Sequence, residues 1–152
     1  MKNLFITLCL CTVSLGGFSQ TCEEREYKLL EAVGGFSAGM LYNTYGLIGS
    51  VSDGYAHDAF DALTLSDLME AQKKVADNLV NVMEELKNGG YLNDIKDQEY
   101  AGSIINILKG LKKQAQLLED YADNKNRQKQ DAYEAQRKQN WSAISKLMGI
   151  EE

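Results

Sequence analysis

Apolar residues recur at helical spacing along most of the chain, and nowhere do they alternate with polar ones between turn dipeptides as strands require. The first such stretch carries Leu30, Val33, Met40, Leu41, Leu47, Ile48 and Val51. It opens at Thr21, which with Glu24 has the spacing of a capping box. Gly34, Gly35, Gly39, Gly46 and Gly49 lie inside it. Each costs about 1 kcal/mol relative to alanine in a helix. The segment is therefore expected either to break near Gly34-Gly35 or to be compensated by close packing, with a large apolar side chain such as Leu79 or Leu108 against Gly39.

A second helix is expected from Thr64, with Leu63 and Leu68 as a hydrophobic staple and Leu68, Val75, Leu79, Val82 and Leu86 as its buried face. Asn88-Gly89-Gly90 ends it with residues that accept left-handed geometry. A third begins between Asn93 and Asp97 and buries Ile104, Leu108, Leu111, Ala115, Leu118 and either Tyr121 or Ala122. The apolar pattern lapses over 123–130 and resumes with Tyr133, Trp141, Ile144, Leu147 and Met148 before Gly149. Residues 94–148 are either one rod of about 80 Å, at 1.5 Å per residue, or two helices folded back on each other. Folding back is favoured, because an uncovered apolar end costs about 25 cal/mol per Å².

Composition agrees with helices throughout: the 152 residues include no proline, the strongest helix breaker. The amino terminus reads differently. Met1-Lys2-Asn3 precedes the apolar run Leu4 to Leu15, too short to anchor in a membrane and the length of an export signal's core; Gly17 and Ser19 suit cleavage before Gln20. The reading is therefore a signal peptide over 1–19 and one domain over 20–152: all-α, an antiparallel bundle of three to four long helices, exported to the periplasm or the extracellular space. Cys9 and Cys11 leave with the signal, and Cys22 has no intramolecular partner. The formal net charge is −6, and loss of Lys2 makes it −7, a poor match for nucleic acid or anionic lipid.

Candidate chemistry is sparse. The sequence contains no phosphate-binding glycine loop, no nucleophile elbow and one histidine, which rules out a histidine pair on a zinc helix. Asp53, His57 and Asp61 repeat every four residues and, if helical, stack on one face as a weak set of ligands for a divalent metal; helix capping is the competing role and is favoured. No charged residue occurs from Ala32 to Ser52. A membrane-seeking helix with a Gly35-xxx-Gly39 contact face is one reading of that stretch. Burial against other helices is preferred, because polar residues dilute it and no flanking cation orients it. Gly35, Gly39, Tyr133 and Trp141 are the candidate interaction residues. The expected function is a non-enzymatic interaction or structural protein of the envelope or secreted fraction, without cofactor, whose partner is another protein or a second copy. A small-ligand or metal-binding bundle is the alternative.

Overall fold

A computed structural model describes residues 21–150, so the signal peptide expected over 1–19 lies outside the described residues. Among the described residues there are four helices and no strand: α1 (Cys22–Ala56), α2 (Ala62–Asn88), α3 (Ile95–Asp123) and α4 (Arg127–Met148). They fall into two units that divide α1, the described part of the first being residues 21–35 and that of the second 36–150.

The first unit is a run of helix in which every residue is exposed or half-exposed. The expected capping box forms there. Thr21 Oγ1 accepts from the Glu24 amide at 3.2 Å, and Glu24 Oε2 accepts from the Thr21 amide at 3.0 Å.

In the second unit, each helix starts where a short polar side chain replaces missing backbone partners. Asp61 accepts from the Thr64 amide, Asp94 from the Lys96 amide and Asn126 from the Lys129 amide. α2 thus begins two residues before the expected Thr64, because Asp61 takes the capping position. Gly149, at φ 66°, closes α4 in left-handed geometry. The chain folds back over 124–126, so 94–148 is two helices and not a rod. This covers Ile144 completely.

α2 packs closely on α3, and α3 on α4. α1 stays farther from the other backbones and reaches the core through Leu41, Ile48, Val51 and Tyr55. Bulky aromatic residues lie between α1 and α4, where side-chain size sets the distance between helix axes. Tyr45 stacks at 5.5 Å and Tyr42 at 6.3 Å on the Trp141 ring of α4, and the Tyr55 hydroxyl donates to the Ala122 carbonyl of α3.

Of the expected α3 core, Ile104, Leu108, Leu111, Ala115 and Leu118 are buried, whereas Tyr121 and Ala122 are only half-buried. The α2 face is not. Its buried residues are Leu65, Met69, Lys73, Ala76, Val80 and Met83, while Val75 and Val82 are 40% and 60% exposed. Lys73 accounts for the difference. Its ammonium donates to Glu119 and Gln116 of α3 and pairs with Glu70. Burial pushes its pKa down, but the hydrogen bonds to Glu119 and Glu70 outweigh that and leave it above the usual lysine value. A buried, neutralised cation therefore interrupts an otherwise apolar stripe.

Two polar layers fix how α3 meets its neighbours. Besides Lys73–Glu119, Asn140 of α4 donates to Gln114 of α3 at 2.8 Å and accepts from Gln136 at 2.9 Å, all three buried. Gly110 makes room for this amide chain, since a Cβ there would collide with the Asn140 Oδ1.

Candidate interaction face

The flank of α1 toward α4 is marked by Tyr42 and Tyr45 against Trp141, and by Tyr133 beside Ser52. At 3.6 residues per turn the opposite flank carries Phe36, Met40, Asn43 and Leu47. All four are exposed, Phe36 by 78%. Gly39, Gly46 and Ser50 border them, and a Cβ placed on either glycine would meet no atom within 4 Å. These positions together span about a third of the helix circumference. The face is uncharged, since α1 carries no ionisable acid or base from Ala32 to Ser52 apart from its tyrosine hydroxyls.

This corrects the expectation for the glycines. Gly39 is not a close-packing site against Leu79 or Leu108, because nothing lies within 4 Å of a Cβ there; nothing lies within 4 Å of a Cβ at Gly35 either, and Gly34-Gly35 does not break α1. Six buried residues of α1, from Leu41 to Tyr55, anchor it in the core and leave its other side open. No helix among the described residues is long and apolar enough to cross a membrane.

The other candidate residues separate. Trp141 is 40% exposed and joins Tyr42 and Tyr45 in an aromatic cluster at the edge of the α1 face. Tyr133 is buried, so it contributes to the core and not to a surface. Burial holds the Tyr133 hydroxyl above the usual tyrosine pKa, opposed by nearby Ser52 and Gln114, although neither completes a hydrogen bond to it.

Asp53, His57 and Asp61 are not stacked on a helix face. α1 ends at Ala56, and Asp58 turns the chain at φ 58°. The His57 Nδ1 lies 2.8 Å from the Asp53 carbonyl, and Asp61 caps α2. The hydrogen bond to Thr64 holds the Asp61 carboxyl below the usual range. Among the described residues no group of three or more His, Cys, Asp and Glu side chains is arranged to hold a metal ion.

A cleft of about 450 Å³ lies between α3 and α4, lined by Ser103, Asn106, Ile107, Ala143, Lys146 and Leu147. Sequence reasoning gave none of these residues a site role and singled out only Leu147, as part of the apolar pattern of the last helix. It also missed Phe36, Met40 and Leu47 as surface, although the seven-residue spacing of Met40 and Leu47 on a glycine-bordered, uncharged stretch is the available signal.

The fold thus defines an all-helical bundle with an exposed apolar face on α1. Comparison with known protein families, with curated proteins and with solved structures finds no match for the chain.

Proposed function

We propose that the protein is a non-enzymatic interaction protein, exported after cleavage before Gln20, that binds another polypeptide through the exposed face of α1. The observation that carries this reading is the row Phe36, Met40 and Leu47, which stands in water on an uncharged helix of a chain with a net charge of −6. Exposed apolar groups of that size are unfavourable at about 25 cal/mol per Å² and favour a covered state. The neutral face selects for apolar complementarity and not for nucleic acid or an anionic surface.

A small-ligand-binding bundle is the second reading. It is supported by Gln114 Nε2 and the Tyr133 hydroxyl, both buried without a hydrogen-bond partner.

Affinity capture from the exported fraction separates the two, with tagged wild type and Phe36→Asp as baits. The interaction reading expects the bait to begin at Gln20, a protein recovered with wild type, and its loss with Phe36→Asp. Equal recovery by both baits, or a stoichiometric small molecule or metal ion in place of a protein, contradicts it.

A further inference from the structure

We infer that the partner of this face is a second copy of the chain, bound with its α1 antiparallel across a two-fold axis at Asn43. This rests on the interaction reading above and specifies its occupant.

The face is complementary to itself. With the axis at Asn43, helices running in opposite directions place Met40 over the partner's Gly46 and Leu47 over the partner's Gly39. Phe36 then meets the partner's Ser50, and Asn43 meets the partner's Asn43. Every large apolar side chain on the row therefore faces a residue with a small side chain or none, and both glycine sites are open to receive one. A two-fold contact requires this reciprocity of knob and hole, because each residue is used twice. Asn43 fits the axis for a separate reason. A carboxamide both donates and accepts, so two copies satisfy each other, and a single polar residue in an apolar seam fixes its register.

Charge and area agree. The row is neutral from end to end, so two copies meet without repulsion despite the acidic balance of the chain. The exposed parts of Phe36, Met40 and Leu47 amount to roughly 300 Å² per copy, and with Asn43, Ser50 and the backbone beside the glycines the pair buries on the order of 1,000 Å², at the lower limit of a specific interface. An interface of that size belongs to weak, reversible association.

Sedimentation velocity of the purified chain, with reductant present because Cys22 is exposed and free, tests the inference. Wild type is expected to pass from monomer to dimer between about 1 and 100 µM. Gly46→Leu, which fills the receiving site on an open helix face, should weaken the dimer at least about tenfold while leaving helical content and melting temperature unimpaired. In a Cys22→Ser background, Asn43→Cys should form a cross-linked dimer with oxidised glutathione. A chain that stays monomeric throughout the range, a Gly46→Leu variant that dimerises as wild type does, or an Asn43→Cys variant that does not cross-link overturns the inference. If the chain stays monomeric yet captures a different protein in a Phe36-dependent way, the second copy is wrong and the interaction reading stands. If it neither dimerises nor captures, both fall.

Discussion

Lys73 shows how one residue hides a helix face from sequence reading. It lies in the same stripe as Leu65, Met69, Ala76, Val80 and Met83, but a lysine reads as a solvated position, so the apolar period of α2 was assigned one flank away, through Val75 and Val82. Only the partner on α3 resolves the ambiguity, and Glu119 lies 46 residues farther along the chain. Removing one member of the pair leaves the other charge buried. Lys73→Met should therefore destabilise the domain by about 3 kcal/mol, whereas Lys73→Met with Glu119→Leu should recover most of that loss, because a buried pair and an apolar pair of similar volume are near equal. Urea denaturation of the two variants checks this; equal losses in both would mean that the pair is not what holds α2 on α3.

At the scale of elements, most helix boundaries were legible because they depend on local chemistry. The Thr21–Glu24 box, the glycine at the end of α4 and the apolar face of α3 all have partners within a few residues or a regular period. The glycines of α1 were misjudged for the converse reason. Their helical cost is evident, but whether a neighbour compensates it depends on where other helices lie, and Gly39 and Gly46 border a flank of α1 that no neighbour closely approaches. The cost is therefore uncompensated within one copy. Gly39→Ala, measured by chemical denaturation in dilute solution where the chain is monomeric, should raise stability by about 1 kcal/mol, as expected for an open position in a helix. A loss of stability there would show that another group occupies the space beside Gly39.

At the scale of the whole molecule, the fold class was readable and the site was not. An all-helical bundle follows from a proline-free chain with sustained helical periodicity. A binding face does not, because the same apolar spacing describes residues turned inward and residues turned outward. Met40 and Leu41 are adjacent, equally apolar, and on opposite sides of that divide. The charge-free stretch reads as a buried helix, yet of its residues only Leu41, Thr44, Ile48, Gly49 and Val51 are buried. The central claim is that the exposed apolar face of α1 contacts another polypeptide. The most direct measurement places a photo-crosslinking phenylalanine analogue at Phe36 and, as control, at Arg127, whose side chain is 92% exposed but polar, and irradiates cells making each. The account predicts a discrete adduct, of dimer mass for a second copy, from position 36 and none from 127. No adduct at 36, or the same adducts from both positions, would contradict it.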